Sequence, residues 1–215
     1  MTPVYFMPGM AASDLIFEHI KLNEELFEVH YMHWLIPEKK EPLPVYVSRL
    51  ITQIHHENPV IIGVSFGGVI VQEIAKQISV QKTIIISSVK NNKEFPRRMH
   101  FSRKTGIHKI LPTRLFENIE TLMKYSFGLA PKRLDLYKKY LDVNDSRYLD
   151  WALHTIVNWD QEETPENIIH IHGDSDLIFP IKYINDAIIV PGGTHIMIIN
   201  RFRWFNDNLA QIISE

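Results

Sequence analysis

The chain of 215 residues contains no cysteine. Disulfides are therefore excluded, and so is any metal site built on thiolates. A reducing, cytoplasmic setting fits that absence. Net charge is also nearly absent: 23 lysines and arginines against 25 aspartates and glutamates leave a formal charge of -2. Such a balance gives no general attraction to nucleic acid. No apolar run approaches the roughly 20 residues that span a bilayer, so stable membrane insertion is not expected. The first residues, Met1-Thr2-Pro3-Val4-Tyr5-Phe6-Met7-Pro8-Gly9, lack a basic leader and a long apolar stretch. They read as a strand rather than as a signal peptide. Internal repeats and low-complexity segments are missing too. What remains is 45% hydrophobic and 22% charged residues, ordinary for one globular core with room for a small insertion.

The informative stretch is Pro59-Val60-Ile61-Ile62-Gly63-Val64-Ser65-Phe66-Gly67-Gly68-Val69-Ile70-Val71. It reads as an apolar strand, a sharp turn and an amphipathic helix, with Ser65 at the tip in a Gly-x-Ser-x-Gly frame. A turn that tight predicts a positive φ at Ser65 and no room for a Cβ two residues to either side. It also leaves a hydroxyl clear of the backbone, beside the unpaired N–H groups of a helix start. The frame alone is weak, since about one random chain of this length in fifteen carries it. Its context, and partners further along, decide whether it carries chemistry.

The rest of the chain supplies that context. Strands are expected at Val4 to Met7, Phe27 to Tyr31, Lys82 to Ser88, Asn167 to His172 and Ala187 to Val190. Helices are expected after Ser13 or Asp14, from Val45 to His56, after Ser65, from Pro180 to Asn185 and over the C-terminal residues. Strand alternating with helix implies an α/β fold: about six parallel strands with helices on both faces. Between about 91 and 166 the alternation stops. Helical patterns there are broken by Pro96, Gly106, Pro112, Gly128 and Pro131, and aromatics are frequent, among them Phe116, Tyr125, Phe127, Tyr137, Trp151 and Trp159. This predicts a core of residues 1–90 and 167–215 with a helical cap inserted at 91–166. On open parallel sheets, ligands bind beyond the carboxyl ends of the strands.

Three further motifs carry a resemblance. His172-Gly173-Asp174-Ser175-Asp176-Leu177-Ile178-Phe179-Pro180 looks like the His-Gly-x-x-Asp-x-x-x-Pro acid loop of the α/β-hydrolases. Gly192-Gly193-Thr194-His195 looks like their Gly-Gly-x-His loop, and Pro8-Gly9-Met10 stands where they carry an oxyanion loop. With Ser65 first, the order nucleophile, acid, histidine is the family's own. The chain thus resembles the α/β-hydrolase superfamily over nearly its whole length, in the manner of a small serine esterase or thioesterase. The resemblance implies Ser65 as nucleophile, His195 as general base and Asp176 as orienting acid. Asp174 and, after the preceding strand, Glu94 are the other acids in reach of that role. It implies oxyanion donors at the backbone N–H groups of Phe66 and Met10. Two departures stand out: Pro8 replaces the histidine common before the oxyanion glycine, and the family's two leading strands have no counterpart here.

Substrate readings are coarser. Gly9 and Trp34 are candidates for the pocket wall. Residues 97–147 hold 12 lysines and arginines against 5 aspartates and glutamates, so the cap is basic while the remainder is acidic. That asymmetry suits solvated helix faces or the steering of an anionic acyl thioester. The expected partner is a small-molecule ester or thioester, with oligomeric state undetermined. No cofactor and no metal are expected, because this chemistry needs neither. His30 and His33, His55 and His56, and His170 and His172 come without a carboxylate cluster of ligand spacing and read as structural or solvated. The alternatives left open are acyl transfer or lyase chemistry on the same three residues, and a receptor-like protein that binds its ligand without cleaving it.

Overall fold

A computed structural model describes residues 1–107, 139–141 and 143–215. Its centre is one sheet of six parallel strands: β1 (Thr2–Met7), β2 (Phe27–Tyr31), β3 (Val60–Val64), β4 (Lys82–Ile86), β5 (Ile168–Gly173) and β6 (Ile188–Val190). The spatial order is β2-β1-β3-β4-β5-β6. The chain starts near the middle, runs to one edge, returns, and then walks to the other edge. Strands β3 and β4 are buried almost end to end, which is why Val60-Ile61-Ile62 and Ile84-Ile85-Ile86 are continuous apolar runs without alternation.

Helices cover both faces of the sheet: α1 (Leu43–Ile51), α2 (Phe66–Ala75), α3 (Arg97–Thr105), α4 (Ser146–Asn158), α5 (Met197–Asn200) and α6 (Phe202–Ser214). Helix α2 is buried along nearly its whole length, not on one stripe only. It is covered by the sheet on one side and by α1 and α4 on others. Its composition, Phe66-Gly67-Gly68-Val69-Ile70-Val71, suits a helix packed all round. Helix α6 does show the expected single apolar face, burying Phe205, Leu209, Ile212 and Ile213. Lys82 at the start of β4 donates to the carbonyls of Ile212 and Ile213, satisfying orphan acceptors at the end of that helix.

Two expected helices are shorter than the pattern suggested. After β1 only one 3₁₀ turn forms, Asp14–Phe17, and Ser13 makes no side-chain cap. From Pro180 only Ile181–Tyr183 turn, again as 3₁₀. At Pro180 only seven residues precede β6 once the turn begins at Ile181, too few for an α-helix to repay its costly first turn.

Between β4 and β5, the described residues form a 3₁₀ turn at Asn92–Glu94 and helices α3 and α4. Helix α4 is capped by Asp145, whose carboxylate accepts from the N–H groups of Arg147 and Tyr148. It buries Tyr148, Leu149, Trp151, Ala152, Ile156 and Val157. Phe116, Met123, Tyr125, Phe127 and Tyr137, with the breaks at Pro112, Gly128 and Pro131, lie outside the described residues.

Candidate active site

The turn from β3 into α2 has the geometry that its glycines require. Ser65 sits at φ 54° and ψ −119°. A Cβ on Gly63 would overlap the Gly67 backbone, and one on Gly67 would overlap the carbonyls of Met7 and Pro8. A positive φ costs a non-glycine residue on the order of 1–3 kcal/mol, and the surroundings have to hold it. They do so by three hydrogen bonds to Ser65's own backbone. Its N–H donates to Ile86 at 2.9 Å, and its carbonyl accepts from the Gly68 N–H at 2.9 Å and from the Ser88 hydroxyl at 2.7 Å. Ser88 is fully buried, and the sequence reading had no signal for this clamp.

The acid and histidine loops meet the elbow from β5 and β6. Nε2 of His195 lies 2.8 Å from Ser65 Oγ, and Nδ1 lies 2.9 Å from Asp176 Oδ2. With Nδ1–H donating to the carboxylate, Nε2 is left to accept the serine proton. The second carboxylate oxygen of Asp176 accepts from the N–H groups of Ile178 at 2.7 Å and Phe179 at 2.9 Å. Asp176 is 2% exposed. Burial pushes its pKa up, but the attraction and hydrogen bond of His195 and the Phe179 N–H outweigh it, so the net shift is downward.

Asp174 and Glu94 are engaged elsewhere. Asp174, exposed, accepts from Gly192 N–H at 2.8 Å and so ties the acid loop to the histidine loop. Gly173 and Gly193 pass so closely that a Cβ on Gly173 would overlap the Gly193 carbonyl, which also accepts from the Ser175 N–H at 2.9 Å. The buried Glu94 accepts from the N–H groups of Lys90 at 2.7 Å and Asn185 at 3.1 Å, bridging two loops. Desolvation pushes its pKa up.

His170 and His172 flank the acid loop from inside β5. His172 Nε2–H donates to the Phe179 carbonyl at 2.8 Å, which leaves Nδ1 to accept from His170 Nε2–H at 3.1 Å. That chain fixes both tautomers and leaves His170 Nδ1 buried without a partner among the described residues. Desolvation lowers both pKa values, that of His170 strongly. Both rings are therefore neutral spacers behind Asp176.

The loop after β1 passes over the elbow, where Gly9 lies against Ser65 and Val64. Trp34 donates its indole N–H to the Gly9 carbonyl at 3.0 Å, and the Ala12 N–H donates to the same oxygen at 3.0 Å. In a planar trans peptide the next N–H points the opposite way, so holding the Gly9 carbonyl aims the Met10 N–H. Among the described residues neither Met10 N–H nor Phe66 N–H has a hydrogen-bond partner. Trp34 also stacks on Phe66 at 5.4 Å and 9°. Residues beyond β4 fasten the same loop: Val143 N–H donates to Ala11 and Ser13 N–H to Tyr140. Tyr148 packs on Trp34 at 5.1 Å.

This arrangement holds a histidine nitrogen within hydrogen-bond reach of the Ser65 hydroxyl, beside two N–H groups without a partner among the described residues. The molecule also superimposes on solved structures over its full length. A thermophilic esterase from Thermogutta terrifontis matches with TM-score 0.69 and 13% identity, covering 100% of this chain and 90% of that one. A bromoperoxidase from Bacillus anthracis matches with TM-score 0.72 and 18% identity, covering 100% and 92%. The chain has the α/β-hydrolase fold. A structure described with carboxylesterases of the thaumarchaeon Nitrososphaera gargenis gives TM-score 0.69, 16% identity and coverage of 99% and 90%. No protein-family model and no curated protein matches the sequence. Among the described residues no helix is long and apolar enough to cross a membrane.

Proposed function

We propose that the protein is a serine hydrolase that cleaves a small carboxylic ester or thioester through an acyl-enzyme on Ser65. The observation that carries this reading is the continuous hydrogen-bonded line from Ser65 Oγ through His195 to Asp176, at the carboxyl rim of the sheet. An esterase and carboxylesterases among the similar folds support ester chemistry.

The steps follow from proton positions. His195 Nε2 takes the Ser65 proton as the oxygen attacks the carbonyl carbon, and Asp176 stabilises the imidazolium. The N–H groups of Phe66 and Met10 stabilise the oxyanion, each contributing about 2.7–4 kcal/mol. Collapse expels the alcohol or thiol, which takes its proton from His195. Water then attacks the acyl-enzyme and gives its proton to His195, which returns it to Ser65 Oγ as the acyl–oxygen bond breaks and the carboxylic acid leaves. Residues 1–90 and 167–215 carry this machinery, and 91–166 act as a cap over it. Arg98 of that segment donates to the carbonyls of Leu177 and Ile178 beside Asp176, which supports a cap seated on the acid loop. Gly9 and Trp34 form the floor behind the oxyanion donors.

The test is labelling by a fluorophosphonate probe, with burst kinetics on p-nitrophenyl esters of several chain lengths. The wild type is expected to label and to burst. Ser65→Ala is expected to do neither and to lose a factor of roughly 10⁴–10⁶ in kcat. An unlabelled wild type that nevertheless binds ligands saturably would favour a receptor-like protein.

A further inference from the structure

A second group of imidazoles gathers around a carboxylate away from the elbow. Glu28 and His30 are two residues apart on β2, so strand geometry puts them on one face. His56 comes from the connection between α1 and β3. Nε2 of His30 lies 3.0 Å from Glu28 Oε1, and Nε2 of His56 lies 3.5 Å from Glu28 Oε2. One ligand atom from each of the three residues falls within 4.8 Å of the others. Bonds of about 2.0–2.2 Å at tetrahedral angles hold ligand atoms about 3.3–3.6 Å apart, so small side-chain rotations suffice to close these three around an ion.

The cluster does not satisfy itself. His30 Nε2 is buried and makes no hydrogen bond among the described residues, although the Glu28 carboxylate is close by. A buried nitrogen without a hydrogen bond is costly, and a cation on its lone pair would offset that cost. Tyr5 supplies what lies behind the ligands. It is 1% exposed, its ring stacks on His30 at 4.6 Å and 16°, and its Oη lies 2.7 Å from His56 Nδ1. The same Oη accepts from the His55 N–H at 3.0 Å. The Tyr5–His56 hydrogen bond serves either tautomer: Tyr5 O–H can donate to Nδ1 in the empty site, and once a cation takes Nε2, Nδ1–H donates to Tyr5 Oη, the usual arrangement behind a ligating histidine. The side chains of His30, Glu28 and His56 are 30%, 42% and 34% exposed, so the cluster borders solvent even though His30 Nε2 itself is buried.

We propose that Glu28, His30 and His56 bind a first-row divalent metal ion of the zinc, nickel or copper(II) type, with water completing the coordination. Two imidazole ligands favour these ions over magnesium and calcium, which select oxygen. The site clips the edge strand β2 to the α1–β3 connection. It is separate from Ser65 and does not depend on the reaction proposed there.

The experiment uses tag-free, full-length protein stripped of metal, loaded with zinc sulfate and passed through gel filtration. Retention of one zinc per chain is expected. A rise in Tm of roughly 5–10 °C is expected at free zinc a hundredfold above Kd. Cobalt(II) should give visible d–d absorption of a nitrogen- and oxygen-ligated site. Glu28→Gln and His56→Gln should each weaken zinc binding at least tenfold, while far-UV circular dichroism and metal-free Tm stay near wild type. Tyr5→Phe, which keeps the ring, should weaken it by about tenfold. No retained zinc in the wild type would overturn the proposal. Undiminished retention in folded His30→Gln/His56→Gln protein would do the same, since the ion would then sit elsewhere.

Discussion

Two clusters in this molecule bring histidine to a carboxylate, and they are built to opposite ends. At the elbow, His195 spans Asp176 and Ser65 with both ring nitrogens engaged, and the carboxylate is buried and further held by two backbone N–H groups. At β2, Glu28 is half-exposed, and the buried nitrogen of His30 beside it makes no hydrogen bond among the described residues. The first arrangement is a closed line of hydrogen bonds, and the second leaves one nitrogen without a hydrogen bond among the described residues. Both set imidazole against carboxylate; direction and enclosure distinguish them.

Making one chemical change in both clusters sharpens that contrast. Asp176→Asn should lower kcat by about 10⁴, because an amide no longer holds His195 in the tautomer that accepts from Ser65. Steady-state kinetics on a p-nitrophenyl ester measures it. Glu28→Gln should change kcat of metal-free protein by less than about twofold, so equal losses from the two changes would erase the distinction. An intermediate effect is expected at Trp34. Trp34→Phe removes the N–H that holds the Gly9 carbonyl and lets the Met10 N–H swing. A fall in kcat of about tenfold with KM little changed is expected, smaller than the loss of a whole oxyanion donor.

The smallest effect concerns stability and the imidazoles behind Asp176. Desolvation depresses the folded pKa of His170 well below the model-compound value of 6.5, and that of His172 as well. Between the depressed folded value and 6.5 the unfolded chain binds the proton that the folded chain refuses. Stability is therefore full above about pH 6.5 and declines as pH falls below it, by at most about 1.4 kcal/mol per pH unit per group. Thermal unfolding followed from pH 7.5 to 5 should show the decline, and His170→Gln should flatten part of it. A Tm that stays level over that range would mean these rings are not buried neutral.

Much of the fold was legible because periodicity and punctuation agree locally. Continuous Val and Ile runs marked β3 and β4, and the Gly-x-Ser-x-Gly frame marked a turn whose φ follows from sterics at Gly63 and Gly67. The order of Ser65, Asp176 and His195 could be read from motifs, as could the likeness to the hydrolase fold. The choice between Asp174 and Asp176 rested on register, and only coordinates show Asp176 on His195 and Asp174 on Gly192. Ser88 was illegible, because its clamp on the Ser65 carbonyl arises from β4 lying beside β3. The sequence marks Trp34 only as a candidate for the pocket wall, yet its indole N–H holds the Gly9 carbonyl.

The β2 cluster shows the same limit from the other side. His30 and His56 stand 26 positions apart in the chain, and the absence of a carboxylate cluster of ligand spacing hides that the single Glu28 meets both in the fold. Local spacing marked the strands and the strained turn, because sterics and hydrophobic period act between near neighbours, while the order of Ser65, Asp176 and His195 rested on motifs that resemble those of the α/β-hydrolases. Tertiary structure alone decided which carboxylate met which imidazole, and which nitrogen was left without a partner. Those outcomes depend on strand order and loop closure, which bring together residues that no period in the sequence connects.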